Sequence, residues 1–209
     1  MRVLLTSHQP FHQGIGGTNV YRLYDRLLAA GHEVRVFLAG AMRESKRETR
    51  TIVCAPNNPS ADFAHELPTL YTDPFERHSF PSLNDRELGE YREALRVGFD
   101  EEIAFFDPHI VHVQHLWIDG HLALESGAPY VASAYMHELA ALDVDERFSR
   151  YVRETAENAG RILVNDSWLA RELERRFELS PDLFGAQNLG VDDLIRVYRG
   201  VSEARFGTA

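Results

Sequence analysis

Residues that build covalent cross-links and metal centres are scarce in this 209-residue chain. Cys54 is the single cysteine, which excludes an intrachain disulfide and a metal site built from cysteines. It lies in the apolar run Thr51–Ala55, so we expect it to pack in the core as a small hydrophobic side chain. Lysine is equally scarce, since Lys46 is the only one, and the basic charge therefore rests almost entirely on arginine.

The chain also lacks an excess of positive charge and any long hydrophobic run. It carries 32 acidic against 22 basic side chains, a net charge of −10. This balance disfavours nucleic acid as a partner, because neutralising phosphates requires a basic face. The first apolar segment, Arg2–Thr6, is far shorter than a signal-peptide core or a membrane span. We therefore expect no transmembrane segment and a cytoplasmic location.

The rest of the composition is ordinary for a globular protein. The chain is 44% hydrophobic and 26% charged, and it is long enough to bury a sizeable core. It shows no internal repeat, low-complexity segment or interdomain linker. These features predict a single domain.

The first forty residues contain the most informative pattern. The apolar strand Arg2–Thr6 leads into the glycine-rich segment Gly14–Thr18, and an amphipathic helix over about Thr18–Ala30 follows. A second strand, Glu33–Leu38, begins just after Gly31. In an open parallel sheet such a glycine loop lies at the carboxyl edge, where ligands bind. The free amides of the loop and of the helix N-terminus suit phosphate or another anion.

The glycine loop by itself leaves alternatives open. Its spacing, Gly14-x-Gly16-Gly17, is not the G-x-G-x-x-G pattern of dinucleotide-binding proteins. The second strand runs into Phe37–Gly40, with no acidic residue to bind a ribose. We therefore disfavour NAD and expect no cofactor. A purely structural turn and a contact with a sugar or phosphate both remain.

Strand-like and helix-like segments alternate along the remainder of the chain. The expected strands are short and apolar: Thr51–Cys54, His109–His115, Pro129–Ala134, Arg161–Val164 and Phe184–Asn188. The expected helices are Asn84–Phe106, Ile118–Glu125, Glu146–Asn158, Trp168–Phe177 and Asp193–Ala204. Residues 55–82 are proline-rich and irregular, which is typical of a functional or mobile loop. The alternation predicts a doubly wound parallel α/β sheet of the Rossmann-like type.

Five stretches, taken in order, resemble the motifs of a known family. They are Gly16–Tyr21, Leu27–Val34, Phe106–His115, Pro129–Glu138 and Asn188–Asp192. The fourth is similar to the family's strand and loop pattern P-x-V-x-T-x-H. Together they make the chain resemble the N-terminal half of the retaining glycosyltransferases of group 1, also called family 4. Those enzymes have the GT-B architecture, in which two Rossmann-like domains face each other across the active site.

The resemblance implies that residues 1–192 form the acceptor-binding domain of a sugar transferase. Its partners would be a nucleotide-sugar donor and a small-molecule or glycan acceptor. In the family a second domain binds the nucleotide-sugar, whereas only seventeen residues follow Asp192 here. We therefore expect the chain alone to be inactive. The alternative is a standalone Rossmann-like binding module or a subunit that pairs with a separate donor-binding subunit, and exposed faces would also allow self-association.

The C-terminal residues 193–209 resemble the family's last helix, which crosses back and docks against the outer helices of the first domain. A truncation remnant is the other interpretation. One stripe of apolar side chains has spacings of three and four: Leu194, Ile195, Val197, Tyr198 and Val201. Arg196 and Arg199 fall outside that stripe and should be solvated. We expect this helix to pack on the domain.

The resemblance also assigns residues to a site. His137 matches a family histidine near the transferred sugar, and we expect it to act catalytically by orienting and hydrogen bonding rather than by taking a proton. Substrate binding is assigned to Gly16, Gly17, Thr18, His115 and Glu138. Glu138 is equally compatible with a helix cap. These residues are expected to converge at the carboxyl edge of the sheet.

The histidines of the strand His109–His115 raise the question of a metal site. In a strand, His112 and Gln114 share one face, and His115 points to the other. Three converging ligands are therefore hard to obtain, and acidic or cysteine partners at metal spacing are missing. We expect no metal, and we interpret His112 as a core histidine with its hydrogen bonds satisfied.

Overall fold

The computed structural model describes residues 1–8, 14–44, 48–68 and 79–206 of the chain. Seven parallel strands form one sheet in the order β3-β2-β1-β4-β5-β6-β7. The strands are β1 (Arg2–Ser7), β2 (Glu33–Gly40), β3 (Thr49–Val53), β4 (Ile110–Val113), β5 (Tyr130–Ser133), β6 (Arg161–Val164) and β7 (Phe184–Ala186). The sheet confirms the predicted doubly wound, Rossmann-like class.

Seven α-helices connect and cover these strands in the described part of the chain. They are α1 (Gly14–Ala29), α2 (Asp85–Phe106), α3 (Ile118–Ser126), α4 (Met136–Val144), α5 (Ser149–Asn158), α6 (Ser167–Phe177) and α7 (Val191–Phe206). None of the helices with described placement has the length and apolar character of a membrane span.

The helix α2 shows how local sequence sets its ends. Asn84 and Glu87 form a reciprocal capping box, in which each side chain accepts the other residue's backbone N–H at 3.0 Å. At the other end Asp107 adopts the left-handed conformation, with φ of 46°, and Pro108 prevents continuation. The prediction for this helix is therefore confirmed nearly to the residue.

The sheet separates two hydrophobic layers. On one face α1 and α7 cover the strands with buried side chains that include Leu27, Leu194 and Tyr198. The other layer contains the apolar side chains of α2, α3, α5 and α6. Gly98 of α2 permits close approach to the sheet there, because a Cβ atom at this position would lie 2.3 Å from the Cδ1 atom of Ile52. Cys54 is buried, as expected, and burial raises its pKa to about 12.

The helix α7 packs on the domain through its apolar stripe, as predicted. Leu194, Ile195 and Tyr198 are buried, whereas Arg196 and Arg199 are exposed. The contacts of α7 include β4 and β5, whereas the family's last helix docks against the outer helices of the first domain. The reason is that α1 covers β1 and β2 on this face, which leaves the apolar surface of β4 and β5 to be buried by another element.

Two helix boundaries differ from the sequence prediction. The helix α1 begins at Gly14 rather than Thr18, so the glycines form its first turn instead of a loop. The helix α4 was not predicted, and the segment expected to be helical from Glu146 starts with a short 3-10 turn before α5 begins at Ser149. Of the predicted irregular segment 55–82, residues 69–78 lie outside the described residues.

Candidate functional site

The sheet order reverses direction between β1 and β4. From β1 the chain builds outward to β2 and β3, and from β4 it builds the opposite way to β5, β6 and β7. The carboxyl ends of β1 and β4 therefore flank the topological switch point, where ligands bind in open α/β sheets. His8 follows β1 directly, and Gln114 and His115 follow β4.

Three imidazole rings, of His8, His115 and His137, meet beside this point, and we refer to them as the histidine cluster. The ring centroids of His8 and His115 lie 4.5 Å apart, and those of His115 and His137 lie 5.2 Å apart. His8 and His115 are buried, whereas His137 is half-buried. Burial lowers the pKa of all three imidazoles, so the cluster is neutral at pH 7 and can both donate and accept hydrogen bonds.

A buried carboxylate, that of Glu138, holds the cluster to the backbone. One of its oxygens accepts from the Leu116 backbone N–H at 2.8 Å and from His115 Nδ1 at 3.0 Å. The other accepts from the Tyr135 backbone N–H at 3.3 Å, which caps the start of α4. When this carboxylate is ionised it only accepts, so His115 then carries its proton on Nδ1 and its Nε2 lone pair is directed away from Glu138. Burial raises the pKa of Glu138 to about 7.

Tyr135 connects the cluster to neighbouring elements and was missed by the sequence analysis. Its ring stacks on His137 with centroids 5.4 Å apart and an interplanar angle of 9°. Its hydroxyl accepts from Asn19 Nδ2 at 2.6 Å and Gln187 Nε2 at 2.7 Å, and it donates to Gln114 Oε1 at 2.7 Å. One signal was available, because the family pattern P-x-V-x-T-x-H counted from Pro129 ends at Tyr135.

Asp119 is a second functional candidate that sequence reasoning missed. It is the second residue of α3, it is completely buried, and its Oδ2 atom accepts from the Thr6 hydroxyl at 3.3 Å. Burial raises its pKa to about 7. An acidic residue in the first turn of the helix after β4 was the available signal, since that turn faces the carboxyl edge of the sheet.

Several buried polar atoms around the switch point form no hydrogen bond within the described residues. They are both ring nitrogens of His8, Nε2 of Gln114, Nε2 of His115, Nε1 of Trp117 and Oδ1 of Asp119. Unsatisfied buried polar atoms are few in native proteins, and each calls for a physical reason. Their concentration at the ends of β1 and β4 makes this edge the candidate site for polar ligand atoms.

The residues assigned from the sequence occupy this edge in two groups. His115, His137 and Glu138 are in mutual contact in and beside the histidine cluster. Gly16, Gly17 and Thr18 lie in the first turns of α1, and the next residue, Asn19, bonds to Tyr135.

Within the described ranges, no three His, Cys, Asp or Glu side chains are arranged to hold a metal ion. His112 is a satisfied core histidine, with Nδ1 2.6 Å from the Tyr198 hydroxyl and Nε2 2.9 Å from the Ser133 hydroxyl.

The buried carboxyl of Asp119 predicts a specific dependence of stability on pH. Its folded-state pKa of about 7 exceeds its ordinary value of 3.8, so the folded protein holds this proton between those pH values. Ionising Asp119 therefore costs stability as pH rises through that window. Between pH 5 and pH 8, the free energy of unfolding of Asp119→Asn should rise by about 2–3 kcal/mol relative to that of the native chain. Urea unfolding at each pH measures this difference.

Asp192 provides the matched control for this experiment, because it is also the second residue of its helix but is exposed. The difference in free energy of unfolding between Asp192→Asn and the native chain should stay constant over the same pH range. A parallel response of the two variants would show that Asp119 ionises normally.

The fold places the chain in the Rossmann-like class, and comparison with known families assigns it further. The model of Glycosyltransferase Family 4 matches residues 16–193. The chain therefore belongs to glycosyltransferase family 4, which confirms the resemblance drawn from its motifs and places it among the transferases. A comparison with curated protein sequences found no match.

Solved structures agree on the fold. A segment of sucrose-phosphate synthase from Thermosynechococcus elongatus has a TM-score of 0.54 at 16% identity, with 100% of both chains covered. The longer structure of that synthase has a TM-score of 0.57 at 17% identity, with 84% of this chain and 44% of the synthase covered. UDP-GlcNAc 2-epimerase from Methanocaldococcus jannaschii has a TM-score of 0.54 at 8% identity, with 97% of this chain and 49% of the epimerase covered. The chain thus spans about half the length of the two longer proteins.

Proposed function

We propose that this chain is the acceptor-binding half of a retaining glycosyltransferase. In the proposed reaction a sugar passes from a nucleotide-sugar donor to an acceptor held at the carboxyl edge of the sheet. The observation that carries the proposal is the contact between His115 and His137 at the end of β4, inside the region matched by the family model. A cytoplasmic location is part of the same proposal.

His137 is the proposed catalytic residue. It is the most accessible member of the histidine cluster, and its position is set by the stacked ring of Tyr135. A neutral imidazole serves as a hydrogen-bond donor and acceptor for sugar hydroxyls, and so it orients the reactants without removing a proton. Its lowered pKa supports this role at pH 7.

The proposed substrate-binding residues act in two ways. His115, oriented by Glu138, presents its Nε2 lone pair for a hydrogen bond from a ligand hydroxyl. Gly16, Gly17 and Thr18 belong to the first two turns of α1, and Gly16 lies in the first turn, where backbone N–H groups have no carbonyl four residues back inside the helix. Such groups favour the phosphate or sugar oxygens of a donor.

We further propose that residues 193–209 correspond to the crossover helix of the family, and that residues 1–192 form the acceptor domain. The helix α7 follows β7 after a short connection and buries its apolar stripe in the same core. The segment of sucrose-phosphate synthase aligns with this chain over the full length of both, α7 included. This likeness supports the assignment of α7.

The test is to compare the chain alone with a chimaera. We expect the 209-residue chain to produce no transfer from UDP-glucose or GDP-mannose. Its strands form one Rossmann-like sheet, and the family's donor-binding domain is a second one. Inserting the donor domain of a family 4 enzyme between Gly190 and Val191 should create transfer of that domain's sugar to an acceptor bound by this chain, detected by screening small-molecule and glycan acceptors. His137→Ala should then lower that rate about 100-fold.

His109→Ala is the control, because His109 lies at the opposite edge of the sheet beside Arg2. It should leave the rate of the chimaera unchanged. Turnover by the chain alone would overturn the proposal. Activity that appears on mixing with a separate donor-binding protein would instead support the alternative of a two-subunit transferase.

A further inference from the structure

A cavity of about 540 Å³ lies beside the histidine cluster, on the face of the sheet that α1 and α7 cover. Its walls are the outer turns of α1, the carboxyl ends of β5 to β7 and the first turns of α7. Six polar side chains of the lining are central to its chemistry: Asn19, Ser133, Tyr135, Asn165, Gln187 and Asn188. We propose that this cavity binds a neutral, hydroxyl-rich ligand of one or two rings, and that this ligand is the acceptor.

The lining is rich in carboxamides, which both donate and accept hydrogen bonds. Four of the six side chains are Asn or Gln, and two are hydroxyls. A sugar or polyol presents hydroxyl groups that also donate and accept, so a carboxamide can satisfy it in either orientation. The side chains of Asn165 and Asn188 are exposed, at the outer part of the cavity, where they can reach a ligand.

The inner end of the cavity is uncharged. His112 forms hydrogen bonds through both ring nitrogens, to Tyr198 and Ser133, and burial lowers its pKa to about 3. It therefore remains neutral and offers no positive charge to an anion. The charged members of the lining, Arg22, Asp25 and Arg26, are exposed on α1. A phosphate-binding cavity would instead place an arginine or lysine inside, where desolvation strengthens the attraction.

Arg26 already forms a hydrogen bond within the protein, because its guanidinium donates to the Leu189 carbonyl at 2.7 Å. It closes the space between α1 and the segment that precedes α7. The cavity volume falls within the range of small-molecule sites and exceeds what a single buried water needs. The size and the polarity together favour one or two sugar or polyol rings.

The Tyr135 side chain joins this cavity to the histidine cluster. Its hydroxyl accepts hydrogen bonds from the side-chain amides of Asn19 and Gln187, which line the cavity, and its ring stacks on His137. A ligand in the cavity would thus contact the same tyrosine side chain that positions His137. This inference rests on the proposed function for calling the ligand an acceptor, whereas the binding itself requires no donor and no transfer.

The experiment is a titration of the 209-residue chain with glucose, sucrose and myo-inositol, followed by the side-chain NH₂ signals of Asn and Gln in ¹H–¹⁵N NMR spectra. Glucose 6-phosphate is titrated in parallel. We expect at least one neutral probe to shift the signals of Asn19, Asn165, Gln187 and Asn188, and the phosphate to bring no tighter binding. Asn165→Ala and Asn188→Ala should each weaken that binding about threefold or more.

Asn158→Ala is the matched control, because this exposed asparagine lies at the end of α5, away from the cavity. It should leave the dissociation constant unchanged. Shifts produced by none of the neutral probes, or by the phosphorylated sugar alone, would overturn the inference. Because the readout is binding, a failed chimaera with intact sugar binding would refute the transferase proposal while leaving the cavity assignment standing.

Discussion

Deleting residues 193–209 is expected to leave the chain largely unfolded. The deletion removes three buried side chains, Leu194, Ile195 and Tyr198, from the layer that covers the sheet. Burying one such side chain contributes about 1.5–3 kcal/mol, so the three together contribute about 5–9 kcal/mol. That loss is comparable to the whole stability of a typical domain, about 5–15 kcal/mol. Circular dichroism and urea unfolding of the truncated chain would measure the effect.

Point variants keep this prediction testable if the truncated chain cannot be purified. Tyr198→Ala should cost about 3–5 kcal/mol, because it leaves a cavity against the sheet. Tyr198→Phe should cost about 1–2 kcal/mol, because it removes only the 2.6 Å hydrogen bond to His112. Arg196→Ala is the exposed control and should be nearly neutral. Equal stability of Tyr198→Ala and Arg196→Ala would show that α7 does not contribute to the core.

Replacing Glu138 by alanine is expected to destabilise the protein by about 3–5 kcal/mol. The change leaves three buried hydrogen-bond donors without an acceptor: the backbone N–H groups of Leu116 and Tyr135, and His115 Nδ1. It also releases the end of β4 from the start of α4. The free energy of unfolding by urea gives the loss, and the ¹⁵N chemical shifts of His115 report whether its proton stays on Nδ1.

Glu138→Gln serves as the comparison for that variant. One amide oxygen can keep the bonds to Leu116 and His115, so this change should cost only about 1–2 kcal/mol. His115 should then retain its tautomer. An alanine variant as stable as the glutamine variant would mean that the carboxylate does not hold the two elements together.

Much of the fold could be predicted because periodicity is a local property of the chain. The capping box at Asn84 and the apolar stripe of α2 lie within that one segment, and both were readable in sequence. The errors arose where local signals conflict. The glycine-rich segment Gly14–Gly17 was predicted to be a loop, yet it forms the first turn of α1. The helix α4 lacks a clean apolar stripe, because its contacts bury Glu138 together with Leu139 and Leu142.

The candidate site was predictable only in part. His115, His137 and Glu138 follow strands whose carboxyl ends must share one edge of a parallel sheet, so their proximity could be inferred. His8 also follows a strand, β1, but position alone did not reveal the roles of His8, Asp119 and Tyr135. Their significance depends on burial and on unsatisfied or shared hydrogen bonds, and nothing local in the sequence reports these properties.

By itself, the sequence determined the class of the protein: the alternating strands and helices, the parallel sheet and the motifs of family 4. These follow from short-range patterns, since a helix or strand is specified by residues within one or two turns of one another. Tertiary structure decided how distant residues combine. Tyr135 bonds to Asn19 across 116 positions, and His112 bonds to Tyr198 across 86. Hydrogen bonding and burial depend on distances in the folded chain, and only the packed sheet brings those atoms together.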